Sequence, residues 1–454
     1  MPRGILRTPA RPFSLRPAQI IVAGFAAAIL LGTALLSIPA ATEGPGGAPF
    51  TTAAFTAVSA VTVTGMASVD TATYWSPFGQ AAILALVQLG GLGIVTSASV
   101  LILVVSRRVG LRGRLTAQAE IHASGGDLGS LRRITLFIVG FTLAVEAIVV
   151  AAVTLRLWLG LGRSFGQAVW QGLFHGVAAF NQAGFSLYSD NLVGFATDAL
   201  ILVPLALAVI VGGVGFPVWL ELRRRPRSPS RWSIHTKLTL VTTGTLLVLG
   251  FVVLTSLEWG NDETFGDDSV AGKLLGGFFA AVTARNAGFN TVDYADMGTD
   301  SLLVTDMLMF VGGGSASPAG GIKVTTLAVL FLIVWAEVRG EREVAAFDRA
   351  IPSATLRQAL TIAVIALSAV VLATLILVAS NDLGLSSALF ECVSAFSTTG
   401  LSTGVTGDLD TTGQAILMIL MFLGRVGPIT LGVALVLRER ERLFSHPEER
   451  PIGG

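Results

Sequence analysis

Long apolar runs dominate this sequence and leave few folds open to it. A helix that crosses a hydrocarbon core about 30 Å thick needs roughly 20 apolar residues. Charged residues make up only 13% of the chain, whereas soluble domains carry about 25%. The sequence therefore predicts an all-α polytopic membrane protein. The clearest apolar runs are 20–38, 134–155, 199–220, 238–257, 359–379 and 415–437.

Basic residues are concentrated in five segments. Between them lie acidic stretches that contain residues such as Glu258, Asp262 and Asp293. By the positive-inside rule, both termini and three loops are cytoplasmic, which implies eight spanning helices. The first apolar run, about 19 residues long, exceeds the 7–15 of a secretory signal, so a spanning helix is the favoured interpretation. The basic segments are the N-terminal tail, 105–133, 223–237, 337–357 and the C-terminal tail.

Four segments on the acidic side share one pattern. Gly65, Gly184, Gly288 and Gly400 are separated by 119, 104 and 112 residues, and a phenylalanine stands ten positions before each of them. The segments read FTAVSAVTVTGM, FHGVAAFNQAGF, FFAAVTARNAGF and FECVSAFSTTGL. A fixed internal period is the sign of a repeat architecture.

Each segment has about ten residues that suit a helix, followed by a polar tail and the glycine. Ten helical residues reach only about 15 Å, half of the bilayer, and a non-helical tail at that depth must line an aqueous cavity or be buried in protein. The sequence therefore predicts four membrane–pore–membrane repeats (helix, half-helix with loop, helix) around one pseudo-fourfold pore. The predicted divisions are a cytoplasmic tail 1–18, repeat one 19–104, a loop 105–133, repeat two 134–222, a loop 223–237, repeat three 238–336, a loop 337–358, repeat four 359–437 and a tail 438–454.

The four tails are predicted to form a selectivity filter. None contains a carboxylate, whereas rings of backbone carbonyls can replace the hydration shell of a monovalent cation, and glycine permits positive φ. The half-helices would point their partly negative C-terminal ends at the pore. The filter tails are Thr62-Val63-Thr64-Gly65, Asn181-Gln182-Ala183-Gly184, Arg285-Asn286-Ala287-Gly288 and Ser397-Thr398-Thr399-Gly400.

With these single-glycine tails, nearly the whole chain resembles the Trk/Ktr/HKT superfamily of potassium transporters. The start of the first span near residue 20 is most like the bacterial Ktr branch. The resemblance implies K⁺ selectivity through Gly65, a homodimer, a soluble cytoplasmic nucleotide-binding ring as partner, and a place in the bacterial plasma membrane. The tails differ from the uniform TVGYG of tetrameric K⁺ channels. The carbonyls expected to bind K⁺ are those of Thr62, Val63, Thr64, Asn181, Gln182, Asn286, Ala287, Ser397 and Thr398.

The second helix of repeat three contains a run that cannot stay helical, since each Gly costs about 1 kcal/mol and Pro about 3. This run indicates either a hinge or a mobile intramembrane loop below the filter, and the resemblance implies a gating loop at 312–323. Repeats one, two and four lack such a run, although Gly90-Gly91 and Gly212-Gly213 are milder pairs. The residues of the expected gate are Gly312, Gly313, Gly314, Ser315, Ala316, Ser317, Pro318, Ala319, Gly320, Gly321 and Lys323, together with Arg425.

Charged residues inside apolar segments are costly and usually functional. Arg425, near the middle of a span, either braces glycine loops or, as the resemblance implies, faces the pore as an electrostatic barrier and bonds to gating-loop carbonyls. Arg285 should point away from the pore and brace the filter. For His175, Glu391 and Glu146, buried polar contacts are the favoured interpretation.

Other functions fit the sequence less well. A cation symporter with alternating access would favour inverted repeats, and Glu146 is its only candidate carboxylate. The sequence shows no nucleophile elbow, phosphate loop or metal-ligand cluster, so neither an enzyme nor an organic cofactor is predicted, and no nucleic-acid partner is expected. The basic loops 105–133 and 223–237 either dock the soluble partner or only set the topology.

Overall fold

A computed structural model describes residues 17–108, 128–266 and 268–436 of the chain. The predicted tails 1–18 and 438–454 and most of the loop 105–133 lie outside these ranges. The described residues are largely helical, as predicted, and the strands among them form one short hairpin, in which Ala345–Ala346 (β1) pairs with Arg349–Ala350 (β2).

The helices follow the predicted repeats in order. The first repeat contains α1 (Pro17–Leu36), α2 (Phe50–Thr62), α3 (Thr71–Tyr74) and α4 (Pro77–Arg108). The second contains α5 (Leu128–Leu155), α6 (Phe165–Asn181), α7 (Ala199–Val214) and α8 (Phe216–Arg224). The third contains α9 (Ile234–Glu258), α10 (Val270–Thr283), α11 (Thr299–Phe310) and α12 (Val324–Arg339). The fourth contains α13 (Ser353–Ser380), α14 (Leu385–Ser397) and α15 (Thr411–Val436).

The short helices α2, α6, α10 and α14 carry the filter tails at their C-terminal ends. They have 13 to 17 residues, or about 20–25 Å at 1.5 Å per residue. They are thus longer than the ten residues predicted but shorter than a 30 Å hydrocarbon core. Two of them begin at serine N-caps, since Ser164 accepts from the N–H of Gln167 and Ser269 from that of Gly272.

Each short helix packs between the helices of its own repeat and a helix of the repeat before it. Within repeats, α1 contacts α2 and α4, and α13 contacts α14 and α15. Between repeats, α4 packs on α6, α7 on α10, α11 on α14, and α15 on α2. Because the fourth repeat returns to the first, the four short helices form a closed ring.

Three helices are long and apolar enough by themselves to cross a membrane. They are Arg133–Gly160, Ile234–Glu258 and Ser353–Ser380, and the bent pair α7–α8 would make a fourth. Among the described residues, Ile21–Leu36, Pro77–Gly93 and Thr411–Gly427 are shorter apolar helices. The predicted number of eight spans stays a prediction.

One helix departs from the prediction. The second helix of repeat two was expected to be continuous, but α7 and α8 meet at a bend of 89°. Gly215 stands at the break with φ of +91°. Pro217 follows two residues later, and proline has no N–H for a continuing helix.

Candidate ion pathway

The four filter tails adopt one backbone conformation. In every tail the second residue has positive φ, namely Val63 (59°), Gln182 (62°), Asn286 (69°) and Thr398 (54°). The closing glycine also has positive φ in every tail: 83°, 27°, 76° and 95° in chain order. A left-handed residue just past a helix end reverses the chain direction. The first, second and fourth tails therefore leave their helices by the same turn, although their sequences differ. In the third repeat the helix ends earlier, at Thr283, and Asn286 adopts its positive φ three residues later.

This turn uses the N–H groups of the tails. Thr64 N donates to Ser59 O (2.8 Å), Ala183 N to Ala178 O (2.9 Å) and Thr399 N to Ser394 O (2.9 Å). The third tail closes one residue earlier, with Ala287 N donating to Thr283 O (2.9 Å). With these N–H groups bonded back to the short helices, the carbonyl oxygens of the tails are the groups left to meet a cation.

The four glycines lie against one another in order. A Cβ placed on Gly65 would stand 2.7 Å from Gly184 Cα, and one placed on Gly184 would stand 2.7 Å from Gly288 Cα. A Cβ placed on Gly288 would stand 3.2 Å from Gly400 Cα, and one placed on Gly400 would stand 3.2 Å from the carbonyl carbon of Gly65. Side-chain carbons do not pack this closely against backbone atoms. Glycine is therefore required at all four positions by both φ and space.

Two of the carbonyls expected to bind K⁺ have other partners in the structure. Ala287 O accepts a hydrogen bond from Gly184 N at 2.8 Å, and Ser397 O accepts one from the side-chain amide of Asn286. Both bonds join neighbouring tails, because the glycine ring brings those tails together. A carbonyl oxygen has two lone pairs, so the binding of K⁺ by these nine carbonyls stays a prediction.

Hydroxyl pairs stiffen the first and last tails. The Oγ1 atoms of Thr62 and Thr64 lie 2.8 Å apart, and Ser397 Oγ lies 3.0 Å from Thr399 Oγ1. Thr62 Oγ1 also donates to Val58 O at 2.7 Å. Repeats one and four thus support their tails in the same way, whereas repeats two and three use amide and guanidinium side chains.

The Gly-rich segment forms a buried loop between α11 and α12. Its ends meet where Gly312 N donates to Ile322 O (2.7 Å) and Val324 N to Gly313 O (3.2 Å). On one side, a Cβ on Gly320 would lie 2.8 Å from Ser397 O of the fourth tail. The loop therefore lies directly against the filter.

The other side of this loop rests on the break in repeat two. Gly314 N donates to Gly213 O at 2.8 Å, and a Cβ on Gly215 would lie 2.5 Å from Ser315 O. Sequence reasoning missed Gly215. The available signal was the run Gly212-Gly213-Val214-Gly215-Phe216-Pro217, which ends in a helix breaker.

Positively charged side chains lie at the third filter tail and in the Gly-rich loop. Arg285 Nη2 donates to Gly312 O at 3.1 Å, which joins the third tail to the Gly-rich loop. Lys323 Nζ donates to Ala319 O within the loop, and its charge interacts with that of Arg425.

Arg425 is 2% exposed and donates through Nη2 to Gly90 O of α4 at 3.3 Å. Among the described residues, this carbonyl is the hydrogen-bond partner found for the guanidinium. The expected bond to gating-loop carbonyls is therefore wrong for this structure. The reason lies in the ring, since α15 packs on α2, the short helix of repeat one, to which α4 belongs.

The equivalent residues His175 and Glu391 hold the chain just after the filter. His175 Nε2 lies 3.0 Å from Ser186 Oγ. Glu391 accepts from Ser402 Oγ (2.7 Å), Thr403 N (3.0 Å) and Thr406 Oγ1 (2.7 Å). The predicted buried polar contacts are confirmed for both.

Glu146 accepts hydrogen bonds from the second tail and from α4. Its Oε1 accepts from Asn181 Nδ2 at 3.0 Å, and its Oε2 accepts from Gln88 Nε2 at 3.4 Å. Asn181 also donates to Gln88 Oε1 at 2.8 Å. Three repeat-one and repeat-two side chains thus form one buried network, as predicted for Glu146.

The sequence matches a known family. The family model for TrkH, described as cation transport protein, matches residues 16–446. The chain belongs to this family. Its members are transport proteins, in agreement with the prediction that the chain is a membrane protein and not an enzyme.

Individual relatives confirm the resemblance to the Ktr branch. The chain is 37% identical over 431 residues to Ktr system potassium uptake protein B of Bacillus subtilis (strain 168), which covers 94% of each protein. It is 32% identical over 441 residues to the potassium/sodium uptake protein NtpJ of Enterococcus hirae, with 96% of each covered. The crystal structure of the potassium transporter TrkH from Vibrio parahaemolyticus matches with a TM-score of 0.71 at 18% identity, over 94% of this chain and 86% of that one. This last match concerns the fold alone.

Proposed function

We propose that this chain is the membrane pore subunit of a potassium uptake system of the Ktr type. K⁺ would pass through the four filter tails, with Gly65 at the selective position of the first. The observation that carries this proposal is the closed ring of four glycines, each with positive φ and each two residues after another residue with positive φ. Relatives named as potassium uptake proteins support the choice of ion.

The ring provides a physical basis for cation binding. Four short helices end at the tails, so their partly negative ends converge there. The third residue of each tail bonds through its N–H to its own short helix, and carbonyl oxygens replace water around a monovalent ion. Two tail carbonyls bond to neighbouring tails, and each keeps a second lone pair that can meet a cation.

The gate in this proposal is the Gly-rich loop 312–323 with Arg425. The loop contacts tails three and four and the break between α7 and α8. A movement of the loop would therefore displace these two filter tails. Arg425 adds a positive charge in a low-dielectric site, where it opposes cation passage.

The remaining assignments follow the same family. We infer eight spans in four membrane–pore–membrane repeats, with both termini on the cytoplasmic side of a bacterial plasma membrane. The names of the relatives refer to a Ktr system, which supports a further subunit. We infer from the family resemblance that the chain forms a homodimer and that this subunit is a soluble cytoplasmic nucleotide-binding ring.

One observation favours a second candidate, a cation symporter. Glu146 is a buried carboxyl that bonds directly to filter residue Asn181, so a proton on Glu146 would alter the second tail. A symporter would require a pH gradient to drive K⁺ uptake, and Glu146→Gln would abolish that dependence.

The proposal is tested by cation flux in liposomes that contain the purified chain with its soluble partner. Gly65→Ser is compared with Gly404→Ser, because Gly404 has a similar φ of +88° but no atom within 4 Å of an added Cβ. We expect K⁺ preference over Na⁺ to fall in Gly65→Ser and to be retained in Gly404→Ser. Equal preference in wild type and Gly65→Ser would show that the four tails do not form the filter.

A further inference from the structure

A small cavity lies behind filter tails two and three. Its volume is about 10 Å³, and it is lined by Gln182, Thr243, Arg285 and Gly313 together with apolar side chains. Such a volume, measured as the space open to the centre of a water molecule, is about what one water requires. The cavity thus lies where two filter tails, helix α9 and the Gly-rich loop come together.

Three buried polar atoms at this cavity have no hydrogen-bond partner within the described protein. They are Gln182 Oε1, Thr243 Oγ1 and Arg285 Nη1. Their side chains are 1%, 8% and 6% exposed, so bulk solvent cannot replace the missing partners. Buried polar groups in native proteins are nearly always bonded to protein or to ordered water.

The orientation of these groups is fixed by their other bonds. Gln182 Nε2 donates to Val209 O at 3.1 Å, which turns its Oε1 to the other side. Arg285 Nη2 donates to Gly312 O at 3.1 Å, which leaves Nη1 as a separate donor. The cavity therefore presents one acceptor, one charged donor and one hydroxyl that can do either.

We propose that this cavity binds a single structural water that joins filter tails two and three to helix α9. The water would accept from Arg285 Nη1, donate to Gln182 Oε1 and bond to Thr243 Oγ1, which satisfies all three groups. A bare cation would face the guanidinium, and an anion would face the oxygen of Gln182. Water is the ligand whose donors and acceptors match this set.

The bound water has a consequence for conduction, which rests on the proposed function. Arg285 Nη2 bonds to Gly312 O of the Gly-rich loop. Its Nη1 would bond to the water, which in turn bonds to Gln182 of the second tail. The water therefore links the position of the loop to the spacing of two tails. Its loss should loosen the filter on one side and weaken discrimination between K⁺ and Na⁺.

The test uses substitutions at Thr243 in the full chain. Thr243→Val removes the hydroxyl and keeps the branched shape, whereas Thr243→Ser keeps the hydroxyl. Thr239→Val is the matched control, because Thr239 is also buried one turn away and its hydroxyl bonds to His235 O at 2.8 Å in its own helix. Each variant is examined by high-resolution cryo-electron microscopy and by K⁺ and Na⁺ flux in liposomes.

We expect density for the water in wild type, Thr243→Ser and Thr239→Val, and its loss in Thr243→Val. Preference for K⁺ should fall about three- to tenfold in Thr243→Val alone, as for one buried hydrogen bond. Absence of density in the wild-type map would overturn the proposal even if Thr243→Val did not fold. Equal ion preference in Thr243→Val and Thr243→Ser would refute the link to conduction. Failure of the Gly65→Ser test would refute the filter and leave the water density as a separate result.

Discussion

Substitution of Glu391 by alanine should loosen the outer end of the fourth filter tail. Glu391 is fully buried on α14 and accepts hydrogen bonds from Ser402 Oγ, Thr403 N and Thr406 Oγ1. Alanine would leave three donors without their acceptor, and each unsatisfied buried group costs about 1–3 kcal/mol. Because the two hydroxyls lie 2.9 Å apart and can bond to each other, the lower limit applies to them. The expected loss in free energy of unfolding is therefore about 3–5 kcal/mol.

The stability effect is measured as the thermal unfolding midpoint in detergent, and the functional effect as K⁺ and Na⁺ flux in liposomes. Glu391→Gln is the matched control, since it keeps the size and one acceptor oxygen and should lie between wild type and Glu391→Ala. We expect a midpoint several degrees lower and a reduced preference for K⁺ in the alanine variant, because residues 402–406 directly follow Gly400. If Glu391→Ala unfolded at the wild-type temperature, the argument that this carboxylate holds the segment would be wrong.

Three further predictions concern the proposed gate and the exposed residue Asp70. Gly215→Ala should change K⁺ flux, because its Cβ would lie 2.5 Å from Ser315 O at φ of +91° and would displace the Gly-rich loop; flux equal to wild type would contradict this contact. Arg425→Gln should increase K⁺ flux by removing a buried positive charge, and flux that stays unchanged or falls would argue against a barrier. Burial raises the pKa of Asp70, but hydrogen bonds, chiefly from Ser189, outweigh it and leave this pKa below its ordinary value. Asp70 should therefore stabilise the fold above about pH 4 and lose this effect as the pH falls through its lowered pKa. The difference in unfolding midpoint between wild type and Asp70→Asn should be larger at pH 7 than at pH 3.

Several features of the site could be predicted because they depend on local chemistry. Gly65 and its three equivalents were predicted from spacing alone, and their positive φ follows from the absence of a Cβ. The contacts of His175 and Glu391 were also predicted, since a buried polar residue in a short helix must find partners nearby. These inferences needed no knowledge of which helices lie side by side.

Other features were missed because they depend on packing between repeats. The break at Gly215 was missed, because the sequence indicated only a milder glycine pair at Gly212-Gly213, whereas the break lies against the Gly-rich loop of repeat three. Arg425 was expected to bond to that loop, but the ring places α15 beside repeat one, where Gly90 O is in reach. In both cases the partner is more than 90 residues away in the chain.

The sequence by itself predicted the membrane setting, the four repeats, the re-entrant short helices and the family, and the comparisons confirm the family. Apolar length and internal periodicity are properties of the chain that hold however the repeats are arranged. Only the tertiary structure decided how closely the four glycines meet, which tail carbonyls bond to neighbouring tails, and that Gln182, Thr243 and Arg285 surround one cavity. Such contacts arise from the closure of the ring, in which residues from different repeats come within bonding distance, and no local pattern in the sequence encodes that distance.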